Sequence, residues 1–561
     1  MQLSLTKKKW HVPEIVLNKQ NVIEHLLSRR GVDAADMQRF LEPRIRDTMY
    51  NPYQLKDFAQ AVQRVCDAIV SREKIVVIGD YDVDGVSSIS LMVNFFRYIE
   101  YDVEYFVPHR EHDGYGLSIS LIDRFYDRLI VTVDCGCSAI DALEYASQKG
   151  IEVIVIDHHS MSIIPPAFAL INPHRPDESD VFKDQCAAGL VYMFLVALSK
   201  KLELEKYRVP DMRCFLDVVA LATVCDVVPL RGLNRAYVAQ GLKVLAMAPN
   251  RGLAALLALC TKNDDYQADT LGFVLGPMIN APGRLDSAEY SVQLLTCDDD
   301  HQCTELVQMI VDMNMRRKEC EKTIVQEALA QHNESDPFIC AYDEKWHCGV
   351  LGIVASRLRE RFNKPVFIMG NINGIAKGSC RSVDGIDIAA LIRDAKYAGI
   401  LSDGGGHRMA AGFSLMPGNL ERFRDFLRER IHADDIINVL EIDGFLDISE
   451  IDIEFVQMIE SLAPFGRYNN RANFIVRNVR FYDVRMIKDL HCKFWIVDGS
   501  SLQYRNTRFS SIIFNVKHSP FYEIIQNAGD KVFDIVCNLS CNTWNGYTSI
   551  NMTLEDINYA G

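Results

Sequence analysis

From Lys74 to His159 the chain repeats one unit, a short unbroken run of β-branched and apolar residues followed by a stretch of helical period. KIVVIGDYD leads into GVSSISLMVNFFRYI, DVEYFVP into SISLIDRFY, LIVTVDCG into SAIDALEYASQKG, and IEVIVIDHH closes the series. Strands apolar at every position are covered on both faces, which is the signature of a parallel sheet between helices. In such open sheets ligands gather beyond the carboxyl ends of the strands. Three more helical stretches come next (AAGLVYMFLVALSKKL, DMRCFLDVVALATV, LNRAYVAQGLKVLAMA), then one long charged helix over 303–332. From Phe338 a second α/β pattern begins, with FICAY, a helix over GVLGIVASRLRERF, PVFIMG, GIAKGSCRS and the glycine-rich GGGHRMAAGFS. After about Glu441 short aromatic-rich segments with Asn-Asn, Asp-Gly and Asn-Gly turns predict a small all-β barrel or sandwich. Residues 1–50 read as an amphipathic helical leader ahead of the first α/β pattern.

Length and composition bound the rest. A chain of 561 residues is too long for one domain, and at roughly 100–200 residues each, three or four are expected. An apolar fraction of 48% with 24% charged residues excludes disordered, collagenous and low-complexity scaffolds. No run reaches the roughly 18 apolar residues of a membrane span, and the lysine-rich N-terminus lacks an apolar core of secretory length. Sixteen cysteines are scattered without a CxxC pair, mostly inside apolar runs, as expected of reduced thiols in a cytoplasmic enzyme. A net charge of −15 argues against indiscriminate polyanion binding by the whole surface. Between Arg467 and Lys517, however, ten Lys/Arg face three acids, interleaved with Tyr468, Phe474, Phe481, Tyr482, Phe494, Trp495, Tyr504 and Phe509. Cations tracking a backbone beside stacking aromatics form a sequence-tolerant single-strand platform. About two thirds of those rings are expected in the barrel core, because strands need large residues to fill it.

The chemistry concentrates at the strand ends. The first strand ends in Asp80, Asp82 and Asp84, the third in Asp134 and the fourth in Asp157-His158-His159, while the later helix DVVALATVCDVVPL closes on Asp226. A single Asp after a strand is usually a helix cap, and Asp84 before Gly85 could serve so. Several carboxylates on one edge, however, repel unless paired. Two divalent cations remove the conflict, and carboxylate-rich ligation with one or two imidazoles suits Mn²⁺ or Mg²⁺. Two metals roughly 3.5–4 Å apart activate water and clamp a phosphorus centre. Cys135 and Cys137, beside Asp134, read as structural.

GDYDVDG, VTVDCG, IDHH, VCDVVPL and GPMINAPGR, in that order and spacing, resemble the motifs of the DHH phosphoesterase superfamily, and within it those of its single-strand-specific 5′→3′ DNA exonucleases. GVLGIVASRLRERFNKPVFIM, KGSCRS and GGGHRMAAGFS resemble the DHH-associated domain, and the aromatic C-terminal region an oligonucleotide-binding (OB) fold. The resemblance implies an α/β protein: a parallel-sheet catalytic lobe, a smaller α/β DHH-associated lobe joined to it by a long helix, and a C-terminal all-β OB-like domain. The expected boundaries are 1–50 for the leader, 51–255 for the catalytic domain, 256–335 for the GPMINAPGR segment and connector helix, 336–436 for the DHH-associated domain and 437–561 for the OB-like domain. It also implies Asp80, Asp82, Asp84, Asp134, His158 and Asp226 as metal ligands, with Asp134 the natural bridge and Asp82, Asp134 and His159 catalytic. His159 either contacts the scissile phosphate or supports a ligand. Which carboxylate serves which ion stays open.

A nuclease also needs cationic fingers. Arg110 follows the second strand, Arg284 lies in NAPGR where Gly283 permits tight backbone approach, and Ser379 with Arg381 pairs a hydroxyl with a bidentate-capable guanidinium. In the resembled exonucleases these positions form a 5′-phosphate pocket, which would set polarity because only an end can enter. Gly404-Gly405-Gly406 invites backbone contacts to a phosphate with His407 as donor, and Tyr115 could stack on a base. The expected activity is release of 5′-mononucleotides from single-stranded DNA in repair and recombination, mismatch repair included, by a monomer partnered by a helicase and a single-strand-binding protein. Two rivals are a DHH-type oligoribonuclease or cyclic-dinucleotide phosphodiesterase, for which the β tail would be idle, and a non-catalytic strand-binding replication factor.

Overall fold

The computed structural model describes residues 3–109, 113–114, 116–260, 265–488, 490–499, 508–514, 516, 519, 521–544 and 547–560. The chain forms two units, Gln38–Lys318 with Pro464–Asn470, and Met1–Met37 with Glu319–Ala463 and Arg471–Gly561.

The first unit is built on five parallel strands, β1 (Ile75–Gly79), β2 (Glu104–Phe106), β3 (Leu129–Val133), β4 (Val153–Ile156) and β5 (Ala169–Ile171), in the order β2-β1-β3-β4-β5. The expected doubly covered sheet is present, and β5 is a strand that the sequence pattern did not reveal. Every residue of β1, β3, β4 and β5 is buried, which explains why these segments alternate so little. The chain steps outward to β2 and then back across β1 to β3, so the strand order reverses between β1 and β3. The register sets Gly79 opposite Val133 and Val133 opposite Ile156. Asp80, Asp134 and Asp157, each one residue further on, therefore leave the sheet at one level beside the switch point, where open α/β sheets bind ligands. Around the sheet pack α1 (Val83–Tyr98), α2 (Ala187–Leu204) and α3 (Leu216–Cys225), all with mostly buried residues. Farther along lies α4 (Gly276–Leu285). The helix α5 (Asp300–Ala330) is the expected long charged helix, with its residues divided between the two units.

The second unit holds a mixed sheet of β6 (Ile339–Tyr342), β7 (Val366–Ile372), β8 (Ile375–Arg381), β9 (Asp403–His407) and β10 (Ala410–Leu415), in the order β9-β10-β8-β7-β6. The helix α6 (Leu351–Phe362) packs on β7 and β8. The C-terminal part is a closed barrel of β11 (Phe474–Ile487), β12 (His491–Asp498), β13 (Arg508–Ile513), β14 (Phe533–Trp544) and β15 (Tyr547–Tyr559): β11 pairs with β12, β12 with β13, β13 with β15, β15 with β14, and β14 back with β11. Five strands closed in this way have no free edge, which is the OB architecture.

Residues 1–50 differ from the expected helical leader. Only part is helical (Val22–Arg29, Met37–Leu41 and Ile45–Thr48); Lys9–His11 pairs parallel with Val439–Glu441, and Val16–Leu17 pairs parallel with the strand Gly444–Leu446 that borders β11. The cause is apolar: Trp10 and Val12 pack against Ile442, Ile475 and Val536, and the Trp10 indole donates to Asp556. No single helix among the described residues is long and apolar enough to cross a membrane.

Candidate metal centre

The carboxyl ends of β1, β3 and β4 and the end of α3 supply three groups of donors whose ligand atoms lie within 4.8 Å of one another: Asp80, Asp82 and Asp134; Asp134, His158 and His159; and Asp84, His158 and Asp226. Asp134 and His158 each belong to two of them. The His158 Nε2 lies 3.2 Å from Asp134 Oδ1 and 3.6 Å from Asp84 Oδ2, and its Nδ1 is 3.8 Å from Asp226 Oδ2.

Local structure fixes each side chain. Asp82, not Asp84, is the N-cap of α1, its Oδ1 accepting from the N–H groups of Asp84 and Gly85 at 2.9 and 3.1 Å. Asp84 is turned inward and accepts from Ala187 and Ala188 at 2.7 and 2.8 Å, so the N-terminus of α2 holds a carboxylate that belongs to α1. Asp80 accepts from the N–H of Tyr81 at 2.7 Å. Asp134 stands in the left-handed region at φ +58°, where Asp is among the few residues that settle. Gly283 shows why a glycine precedes Arg284: a Cβ there would lie 2.5 Å from the Tyr81 carbonyl oxygen, so α4 rests directly on the GDYDVDG loop. Arg284 follows, half-buried, at that junction.

Charge crowding is the dominant physics. Burial, then the charges of Asp84, Asp82, Asp80 and Asp157, pushes the Asp134 carboxyl well up from its ordinary value. Asp226 is pushed up by burial and by Asp84 and Asp82, and Asp84 by burial, which outweighs His158. Asp134 Oδ1 is buried with no hydrogen-bond partner. An orphaned acceptor amid like charges, surrounded by oxygen donors and one or two imidazoles, fits hard divalent cations of the Mn²⁺ or Mg²⁺ kind.

Asp157 behaves differently, and reading the sequence alone missed its part. It accepts from the N–H groups of Cys137 (3.0 Å), His158 (2.7 Å) and His159 (3.1 Å) and from His159 Nδ1 (2.7 Å). Burial opposes its ionisation, yet these bonds hold it well below the usual carboxylate range. Burial likewise works against the His159 imidazolium, but the bond and charge of Asp157, with Asp80 and Asp226 behind it, raise it to about 9. Asp157 thus orients His159, as a carboxylate orients a ligand imidazole in many metal sites. The only sequence signal was its place ahead of the two histidines. Cys135 and Cys137 are buried free thiols.

In the other unit, Ser379 and Arg381 lie on β8 and His407 on β9. Arg381 Nη1 donates to Ser379 Oγ at 3.2 Å, and a Cβ on Gly352, in the first turn of α6, would come within 3.1 Å of Arg381 Nη2. Across the sheet, Ser379 pairs with Gly412 and Gly412 with Gly405, while Arg381 pairs with Ala410 and Ala410 with His407. Directly paired residues share a face, so Ser379, Arg381 and His407 surround a floor of small residues, and nothing lies within 4 Å of a Cβ placed on Gly405. The glycine run is therefore not a free loop: Gly404, Gly405 and Gly406 form an edge strand whose backbone is engaged with β10. Arg110 and Tyr115 lie outside the described residues. Of the C-terminal aromatics, Phe474, Phe481, Phe494 and Phe509 are core, Tyr468 and Tyr482 are exposed and Trp495 is half-buried, while Tyr504 lies outside the described residues. Tyr482 pairs directly with Trp495, over whose ring Arg508 sits at 4.8 Å.

Comparison with known proteins agrees with this architecture. The chain matches the family models for the DHH family N-terminal domain over residues 74–223, the DHHA1 domain over 335–433 and the RecJ OB domain over 442–556. It is 31% identical over 552 residues to the single-stranded-DNA-specific exonuclease RecJ of Bacillus subtilis, covering 95% of this chain and 67% of that protein. To the protein of the same name from Escherichia coli it is 32% identical over 566 residues, covering 96% and 95%. Among solved structures, RecJ of Thermus thermophilus in complex with Mn²⁺ superposes with a TM-score of 0.78 at 25% identity, over 99% of this chain and 80% of that one. The same protein has been solved with Mg²⁺, with a TM-score of 0.73. The chain belongs to the RecJ family of single-stranded-DNA-specific exonucleases.

Proposed function

We propose that this chain digests single-stranded DNA from the 5′ end, releasing 5′-mononucleotides, with the acidic cluster as its catalytic centre. The observation that carries the reading is the overlap of the three donor groups, with Asp134 and His158 each in two of them. Asp80, Asp82, Asp84, Asp134, His158 and Asp226 would hold two divalent cations, with Asp134 shared by two of the donor groups. The cations, when bound, polarise the phosphoryl oxygen and lower the pKa of a water. The protein's part is to hold its carboxylates rigid through the α1 and α2 backbone bonds to Asp82 and Asp84. Through Asp157 it also fixes the orientation of His159 beside the site, where the scissile phosphate would lie. Arg284, seated by Gly283, adds a cation at the same edge.

Ser379, Arg381 and His407, with Arg110, are the residues that grip the 5′-phosphate, and Tyr115 stacks on a base. The division into a catalytic domain (51–255), a motif and connector segment (256–335), a DHH-associated domain (336–436) and an OB-like domain (437–561) belongs to this reading. So do a cytoplasmic setting, supported by sixteen free cysteines, a monomeric state, and a helicase and single-strand-binding protein as partners in repair and recombination. Oligomers labelled at the 5′ or the 3′ end, digested with Mn²⁺, Mg²⁺ or chelator, test it. The expected result is early release of the 5′ label as a mononucleotide, abolished by chelator; early release of the 3′ label, or indifference to chelator, overturns it. Arg381→Ala is expected to erase most of the rate difference between 5′-phosphorylated and 5′-hydroxyl ends, and an unchanged ratio removes that residue from the grip.

A further inference from the structure

The unit that carries the acidic cluster includes a segment far away in sequence, Pro464–Asn470 (PFGRYNN). It is tied down tightly. The buried Arg235 donates to the Pro464 carbonyl at 3.1 Å, and the Leu230 N–H donates to the Arg467 carbonyl at 2.9 Å. Gly466 and Asn469 bridge each other across the turn, Asn469 is fully buried, and its side chain donates to the Pro464 carbonyl at 2.8 Å. A Cβ on Gly466 would come within 2.6 Å of Leu230, so the segment lies flush on the loop that follows α3.

A turn held this firmly would bury an aromatic ring if packing were its purpose. Instead Tyr468 has φ +65° and is 58% exposed. A large residue held in the left-handed region is strained, and strain kept in place by its surroundings points to use. Two guanidinium groups attend the ring: Arg231 at 5.2 Å and Arg467 at 5.7 Å from its centroid. Arg467 also donates to the carbonyl of Val227 at 3.2 Å, one residue from Asp226, and its charge is felt by Asp226. An exposed ring flanked by cations is the arrangement that binds single strands without regard to sequence, the ring taking a base and the cations the backbone. Nothing in the acidic cluster needs such a ring.

We infer that Tyr468, flanked by Arg231 and Arg467, is a station for the single strand at the rim of the metal centre: the ring stacks on one nucleobase and Arg467 engages the adjoining phosphate. This rests on the single-strand exonuclease reading above and adds to it a positioning contact outside the barrel and outside the phosphate grip. It keeps the strand in line as each terminal nucleotide is removed.

The test is binding of a fluorescein-labelled oligothymidine by the full chain in chelator, followed by anisotropy, for the unaltered protein, Tyr468→Ala, Tyr468→Trp and Arg467→Ala. Tyr468→Ala should weaken binding roughly 5- to 100-fold, whereas Tyr468→Trp should keep it. Arg467→Ala should reduce the slope of log K against log salt by about 1. An abasic nucleotide scanned along the oligomer should cost the unaltered protein the same factor at one position and cost Tyr468→Ala nothing further there. The Mn²⁺-dependent rise in Tm should be the same in the unaltered protein and both Tyr468 variants, which separates a lost contact from a lost fold. If the unaltered protein binds and digests the oligomer while Tyr468→Ala binds equally well and the abasic scan shows no sensitive position, the station is refuted and the exonuclease reading stands. If the unaltered protein neither binds nor digests single strands, both fall together.

Discussion

Replacing Asp134 by Asn should make the metal-free protein more stable while it removes the reason for the cluster to exist. Asn fits the site: it matches Asp in shape and tolerates the left-handed φ of +58°. The buried Oδ1 accepts no hydrogen bond, so exchanging the carboxylate for an amide costs only the attraction to His158 Nε2, 3.2 Å away. What is removed is repulsion. Two ionised carboxylates at the 4.8 Å limit of the donor groups repel by about 3.5 kcal/mol at an effective dielectric of about 20. Proton uptake relieves most of that, so a net gain on the order of 1 kcal/mol is expected.

The raised pKa fixes how the gain varies with pH. The folded protein holds protons that the unfolded chain releases, so stability falls as pH rises above the ordinary carboxylate range. Asp134→Asn should flatten that fall, and the gain should be larger at pH 8 than at pH 5. With metal the order reverses. Mn²⁺ at a hundredfold excess over its Kd stabilises by about 2.7 kcal/mol, or about 5–10 °C in the Tm of a unit this size. The Asp134→Asn variant should lose most of that rise and all detectable turnover, while keeping strand binding. Differential scanning fluorimetry at pH 5 and pH 8, with chelator and with Mn²⁺, reads both effects. A variant less stable in chelator at pH 8, with the full Mn²⁺ shift retained, would refute the reasoning.

Other expectations come from the same geometry. Gly283→Ala places a Cβ 2.5 Å from the Tyr81 carbonyl; the GDYDVDG loop must shift, and kcat should drop about 100-fold for a displacement near 1 Å, with KM for the strand nearly unchanged in steady-state assays. Asp157→Asn should lower His159 from about 9 toward its ordinary 6.5, a change visible by NMR titration in chelator. Because a raised histidine stabilises the fold fully below the lower value and loses that contribution through the upper one, the variant should be less stable at pH 7. Asp217, buried on α3 and raised to about 7 by burial with one carboxylate oxygen unpartnered, should make stability fall between about pH 4 and 7. Asp217→Asn should abolish that slope in urea titrations at pH 5 and pH 8, and equal slopes in both proteins would contradict it.

The unbroken apolar runs of β1, β3 and β4 determine by themselves that the sheet is parallel and doubly covered. Once it is parallel, Asp80, Asp134 and Asp157 have nowhere to go but its carboxyl edge. The long helix and the barrel were legible for the same reason: periodicity and turn residues are local properties. Division of labour among equivalent residues was not legible. Asp82 caps α1 while Asp84, two residues on, is held by the N-terminus of α2, and no pattern within GDYDVDG separates them because the deciding partners, Ala187 and Ala188, are about a hundred residues away. Asp157 and Asp134 occupy identical places after their strands, yet one is held ionised by backbone N–H groups and the other has a buried Oδ1 that accepts no hydrogen bond. Likewise GGGH reads as open backbone for a phosphate until β10 engages it, and the N-terminal segment reads as a leader until Trp10 finds Ile442, Ile475 and Val536. Sequence specifies which groups are available and the local geometry that carries them; long-range packing decides which of them face one another, and with that the charge each one bears.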